Sequence, residues 1–401
     1  MAVMTLPWTS VLALSLALSL LGTSWATQVN DTTTHSITTA STTTTSPVSC
    51  DPATCTLRNY YISAQEMIWD YAPSGMDLFR NVSLEESEQA SIFAASGRGR
   101  IGRSYFKALY RGYTGPDFTQ PTEREPWLGF LGPIIRAEVG DVIRVHFFNN
   151  ATFPYSIHPH GVLYTPANEG AYHAGSGPGA SVPPYGNFTY TWRVPERSGP
   201  GPADPSSLMW LYHSHHHEPQ DVNAGLVGPM IIYRRGALSG PLRDYDDERI
   251  AFFMVHDENK SHYLKQNLAI FAGDITMTGQ EPKEVLAEGQ RQLEDPGFVE
   301  SNMMHGINGR IFNNLPGLTG KVNHRLRWYI GALGNEVDLH TAHWHGSTGL
   351  SYGRRLDVLG LLPGATRVVD MTPDVPGTWL FHCHVDDHMS AGMTVNYTIT
   401  A

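Results

Sequence analysis

Cysteine is scarce in this chain, with three among 401 residues. That excludes a disulfide-dense scaffold held together by many bridges. Cys50 and Cys55 are close enough in sequence to close one small loop, which leaves Cys383 unpartnered and better suited to a metal than to a bridge. Positive charge is also in short supply: 27 Lys and Arg stand against 38 Asp and Glu, for a net charge of −11. Such a balance argues against nucleic acid or anionic lipid as a partner and suits a cationic substrate. Long hydrophobic runs are missing as well. Val11–Leu21 is too short to span a bilayer, and with Ser24–Ala26 as a cleavage site, residues 1–26 read as a secretory signal peptide, which predicts a secreted protein. No later segment is apolar enough to predict a membrane span.

Residues 27–55, rich in Thr and Ser as far as Ser46, have almost nothing apolar to bury and predict a disordered, O-glycosylated stalk. Six Asn-X-Ser/Thr sequons, at Asn30, Asn81, Asn150, Asn187, Asn259 and Asn396, are compatible with glycosylation after secretion. The remaining chain, about 350 residues, suits two domains of ordinary size.

The most informative stretch is His382–Met393, which packs Cys383, three histidines (His382, His384, His388) and Met393 into twelve residues. On an extended strand, alternate side chains face opposite ways, so Cys383 points one way and His382 and His384 the other. His388 and Met393 follow just past a turn, on the cysteine's side. Cys, His and a weak axial Met are the ligand set of a blue-copper centre. The flanking histidines then face a second metal centre one residue away along the backbone.

This stretch has a degenerate copy. Trp210, His213, Ser214, His215, Ala224 and Leu226 line up with Trp379, His382, Cys383, His384, Ala391 and Met393. His158, His160 and Gly161 likewise match His343, His345 and Gly346. Each half therefore supplies one His-X-His-Gly loop and one His-X-His strand. Short β-type runs such as Asp141–Phe148 and Thr366–Asp370, punctuated by Gly and Pro, predict an all-β chain of two antiparallel Greek-key sandwiches or barrels. The predicted domains are 56–238 and 246–401, with a short linker at Gly240–Asp247. Ser214 and Leu226 are poor soft-metal ligands, so the first domain is expected to lack a blue copper. The four His-X-His pairs offer eight imidazoles, the number a three-copper, dioxygen-binding cluster needs. His340 supplies the second nitrogen for the blue copper. His35, His173, His216, His217 and His324 have no match in the repeat and are expected to be surface or loop residues.

At this point the chain resembles the multicopper oxidase family, and within it the ceruloplasmin and hephaestin ferroxidases. The similarity covers nearly everything after the stalk. It is carried by Ile68–Gly75, Leu131–Asp141, Ala224–Pro229, Asn302–Gly309, Asn335–His340 and the closing motif. The resemblance implies two tandem cupredoxin-like domains and four coppers per protomer. It assigns His340, Cys383, His388 and Met393 to a type 1 copper and His158 and His343 to a type 2 copper. His160, His213, His215, His345, His382 and His384 would hold a type 3 pair. It also implies one-electron oxidation of a substrate coupled to four-electron reduction of dioxygen to water. Glu169 and Asp386 occupy positions where relatives keep acidic residues, and are expected to relay protons.

For the substrate, Glu300 and His305 sit at the family's iron-site spacing, Asp387 directly precedes His388, and Glu336 corresponds to a carboxylate donated by a neighbouring domain. Together they imply Fe(II). A laccase-like oxidase of phenols or aromatic amines is the alternative and would need an open apolar pocket at His388. A non-catalytic copper scaffold would lack cluster ligands, and none is missing. Relatives usually carry three or six such domains, whereas this chain has two joined by a short linker. The resemblance therefore implies a head-to-tail homotrimer, with each trinuclear cluster at a subunit interface.

Overall fold

The computed structural model describes residues 55–97, 100–272 and 293–401. The signal segment, the Thr/Ser tract, Cys50 and the Asn30 sequon lie outside the described residues. Cys55 is disulfide-bonded and Cys383 is a free, buried thiol.

Among the described residues, four large sheets carry the fold, two from each half of the sequence. In the first half, one sheet runs in the order Ser104–Tyr113, Leu57–Asp70, Val142–Asn150, Asn187–Arg193. The other runs Ile135–Glu138, Val227–Tyr233, Ser207–His213, His158–Pro159. Ile62, Val145 and Trp192 from the first sheet meet Ile135, Tyr212 and Met230 from the second in one apolar core. The strand Val142–Asn150 alternates buried and part-exposed positions, as a strand covered on one face should. Val227–Tyr233 is buried at every position. Met230 and Ile232 face its own sandwich, while Val227 and Ile231 belong to a second core that runs on into the other half of the chain. A strand covered on both faces needs a continuous apolar run, and Val227–Tyr233 is one.

The second half repeats the plan. One sheet runs Met303–Ile307, Asp247–Asp257, Leu326–Ala332, Thr366–Met371, Gly349–Ser351, Arg354–Leu356. Its partner runs Thr319–Lys321, Thr394–Thr400, Gly377–Cys383, His340–Trp344, Val358–Leu361. Two-sheet sandwiches of this kind match the expected fold class, but the pairing is mixed rather than purely antiparallel. Leu57–Gln65 runs parallel to Val142–Asn150, and Asp247–Phe253 runs parallel to Leu326–Ala332. Parallel partners lie far apart in the chain, so local alternation of residues carries no trace of them.

The two halves are also pinned by polar groups. Arg327, fully buried, forms a two-pronged bridge to Asp370 with both bonds at 2.7 Å, and reaches Ser206, Ser207 and Asp244 from the first half and the linker. Lys107, from the first half, is paired with Glu258 of the second, and both are buried. Tyr71 donates to the same Glu258 oxygen at 2.5 Å, and Lys107 Nζ donates to the Asn223 carbonyl at 2.7 Å. Burial pushes the Lys107 ammonium down and the Glu258 carboxyl up, each opposed by the partner's charge. Lys107→Met should leave that carboxylate uncompensated and cost about 3–5 kcal/mol, read as a lower urea midpoint. Adding Glu258→Leu should recover most of the loss. If the double variant were no more stable than the single one, the pair would not be the cause.

Candidate metal centre

The strand Gly377–Cys383 ends at the sandwich rim, where the chain turns through Val385 into the short helix Asp386–Ser390. The turn brings His388 back over Cys383. The neighbouring strand His340–Trp344, paired with it antiparallel, delivers His340 to the same place. His340 Nδ1 and His388 Nδ1 are 3.1 Å apart, and Cys383 Sγ lies 3.8 and 3.6 Å from them. The centre of a triangle with those edges lies about 2.0 Å from each corner, the length of a metal–imidazole bond. The three donors therefore fit one ion. Burial alone would push the Cys383 thiol up, but hydrogen bonds with His340, His388 and the backbone at Thr341 and Val385 bring it down to about 6, which favours the metal-binding thiolate. Met393 is buried in the same core, and its carbonyl accepts from the Cys383 N–H at 3.1 Å.

On the other face of the strand, His382 Nε2 lies 3.1 Å from His345 Nε2, with the His343 ring 5.3 Å from His382 and 5.4 Å from His384. The first half builds the same quartet. His160 Nε2 and His213 Nε2 are 3.0 Å apart, with His158 5.6 Å from His213 and 5.2 Å from His215. Backbone carbonyls set the ring tautomers in both. His158 Nδ1 bonds the Glu169 carbonyl at 2.7 Å and His343 Nδ1 the Asp357 carbonyl at 3.0 Å. His213 and His382 bond the carbonyls of Ser214 and Cys383 at 3.1 and 2.8 Å. A carbonyl only accepts, so in these four rings Nδ1 carries the proton and Nε2 is left bare for a metal. Burial and the neighbouring rings hold His160 and His382 down at about 4, so both are neutral ligands at physiological pH. Among the described residues, no ring contact joins one quartet to the other. His345 and His384 are exposed.

Comparison with known proteins agrees with this geometry. Two multicopper oxidase family profiles match the chain, one over residues 128–237 and the other over 281–401. The chain belongs to the multicopper oxidase family. It is 41% identical to Mus musculus hephaestin over 352 residues, covering 86% of this chain and 29% of hephaestin. It is 39% identical to the Homo sapiens ferroxidase HEPHL1 over 350 residues, covering 85% of this chain and 29% of that protein. The chain thus spans under a third of the length of these relatives. A multicopper oxidase crystal structure superposes with a TM-score of 0.55 at 19% identity, covering 88% of this chain and 92% of that one, a likeness of fold. Copper is the metal that family membership implies.

In this multicopper oxidase the place in the first half that corresponds to the Cys383 triad is filled differently. Counting back from the aligned alanines Ala224 and Ala391, Asp221 stands where His388 does; counting back from the aligned His158 and His343, Tyr155 stands where His340 does. The Ser156 N–H donates to Ser214 Oγ at 3.0 Å, as the Thr341 N–H does to Cys383 Sγ at 3.4 Å. Ser214 Oγ in turn donates to Asp221 at 2.7 Å. The same carboxylate accepts from the His216 and His217 N–H groups and bonds the His262 ring at 2.9 Å. Its oxygens are occupied by protein donors.

The iron candidates are placed as follows. The His305 ring lies 5.3 Å from that of His388, and its Nδ1 bonds the Met303 carbonyl. Glu300, at the end of the helix Pro296–Ser301, has its carboxyl pushed up by burial and by the charge of Asp387. Glu336 is exposed on the loop before His340, and among the described residues no hydrogen bond or ion pair joins it to the other three. Asp386 is exposed in the first turn of its helix. Glu169 holds His158 through its carbonyl, while its carboxylate pairs with His173 at 3.1 Å. His173 therefore has a partner, as does His324, which lies 3.6 Å from Asp247. Asp338, which the motif spacing does not pick out, accepts from His340 Nε2 at 3.2 Å. Its signal in the sequence is an acid two residues before a strand ligand, on the same face.

Proposed function

We propose that this chain is a copper-dependent ferroxidase that couples Fe(II) oxidation to reduction of dioxygen to water. The observation that carries the reading is the surroundings of His388: the His305 ring lies 5.3 Å from its ring, and Asp387, its neighbour in the chain, acts by its charge on the Glu300 carboxyl. A laccase-like site would need open apolar space there, whereas these surroundings are polar and charged. Kinship with a protein named a ferroxidase supports the same substrate.

The proposed domains are 56–238 and 246–401. In the second, His340, Cys383, His388 and Met393 would hold the type 1 copper; the network around Ser214 and Asp221, whose oxygens serve protein donors, supports a first domain without one. His158 and His343 would hold type 2, and His160, His213, His215, His345, His382 and His384 the type 3 pair, four coppers per protomer in all. Bound copper supplies one-electron redox chemistry and the four-electron reduction of dioxygen. The chain supplies the rest. Glu300, Asp387 and His305 present hard oxygen and imidazole donors to Fe(II), and carboxylates favour the Fe(III) product. The His305–His388 contact leads from iron toward Cys383, and the backbone joins Cys383 directly to His382 and His384. Glu169 and Asp386 would pass protons to the cluster from the solvent side.

Separate quartets, one with exposed rings, are completed in a head-to-tail homotrimer, where one chain's first half faces the next chain's second half. Glu336 would reach a neighbour's iron site in the same way. Secretion and glycosylation belong to this proposal too, and no described helix is long and apolar enough to cross a membrane.

Glu300→Ala or Asp387→Ala should cut kcat/KM for Fe(II) by at least about 10-fold while changing oxidation of a bulky aromatic amine by less than about 3-fold. Steady-state kinetics on copper-loaded enzyme measures both. Equal losses on the two substrates would favour the laccase reading.

A further inference from the structure

Asp338 is fully buried beneath a loop of solvent-exposed residues, and all its bonds are to groups that matter elsewhere. Its Oδ1 accepts from His340 Nε2 at 3.2 Å and from the Val255 N–H at 2.7 Å. Its Oδ2 accepts from the Asn335 N–H at 2.9 Å, closing the loop on itself. Gly334 starts that loop at φ +125°, and a Cβ there would lie 1.9 Å from Asp338 Oδ2. The backbone is thus drawn tightly around this one carboxylate. Glu336 sits at the tip of the loop. Val255, on the strand Asp247–Asp257, is the register partner of His305.

We infer that Asp338 is a positioning residue that couples the type 1 centre to iron capture. One carboxylate orients the His340 ring and makes it more electron-rich, clamps the loop that presents Glu336, and ties both to the strand behind His305. A charged acceptor on the outer nitrogen of a ligand histidine strengthens that ligand and favours the more oxidised metal. The inference rests on the ferroxidase reading only for its iron half.

The test is Asp338→Asn, which removes the charge and turns a donor toward the Asn335 N–H. Copper-loaded protein should show a shifted blue absorption band and a higher type 1 reduction potential. Hydrogen exchange at the amides of residues 335 and 338, which close the loop, should speed up at least about 10-fold as it opens. KM for Fe(II) should rise about 10-fold or more. Glu336→Gln should raise KM for Fe(II) and leave the blue band in place, separating loop from ligand. A wild-type band and potential in Asp338→Asn, or unchanged loop exchange, would overturn the proposal. Both readouts need no iron, so they judge Asp338 separately from the ferroxidase reading. That reading fails instead if the wild-type enzyme oxidises the amine and leaves Fe(II) untouched.

Discussion

Cys383→Ser should abolish the strong blue absorption and lower oxidase turnover by well over the roughly 10–100-fold that losing an outer-shell partner costs. The chain contains its own precedent for this exchange. At Ser214 the hydroxyl bonds Asp221 at 2.7 Å and receives the Ser156 N–H, in a place where the second half keeps sulfur. A hydroxyl keeps its proton where the Cys383 thiol is poised to lose it, at about 6. It would therefore donate to one of the two facing Nδ1 atoms instead of joining them around an ion. Because it still finds a hydrogen-bond partner and is smaller than the thiol, the sandwich should fold normally, with an unchanged far-UV circular dichroism spectrum. The blue absorption belongs to the thiolate–copper bond, so a variant that stayed blue and active would remove Cys383 from the centre altogether.

Much of this site is legible in the sequence because its chemistry is written in strand alternation. His382, Cys383 and His384 divide between two faces by the period of two alone, and the repeat places His158, His160, His213 and His215 opposite their counterparts. What escapes the sequence is whatever depends on chain segments far apart. The parallel pairing of Leu57–Gln65 with Val142–Asn150 joins strands some 85 residues apart, and nothing local marks it. The Lys107–Glu258 pair escapes for the same reason, since either residue alone reads as a surface charge. Asp338 and Asp221 are intermediate cases. Each lies near a motif, but its role appears only when burial removes solvent and shows which groups its oxygens serve. Glu169 shows the reverse limit: the sequence singles it out for its carboxylate, yet the part that touches His158 is its carbonyl, an atom any residue would provide.

His213→Ala and His382→Ala should each be inactive alone and recover activity when assembled together. His213 belongs to the first-half quartet and His382 to the second, and among the described residues no ring contact links the two within a chain. If a cluster forms between the first half of one subunit and the second half of the next, a mixed ring contains a junction where both contributed halves are intact. In any trimer holding both variants, only one of the three ordered junctions has that composition, so recovery should reach about a third of wild type. Coexpression with two different affinity tags and sequential capture isolates such mixed trimers and discards the homotrimers. The intact junction also has its own electron source, because the His213→Ala subunit that donates the second half retains His340, Cys383 and His388. Activity at that level, together with inactive parents, would require the cluster to be shared between chains. Doubly tagged trimers as inactive as either parent would place the whole cluster within one chain, and the open faces of His345 and His384 would then need another explanation.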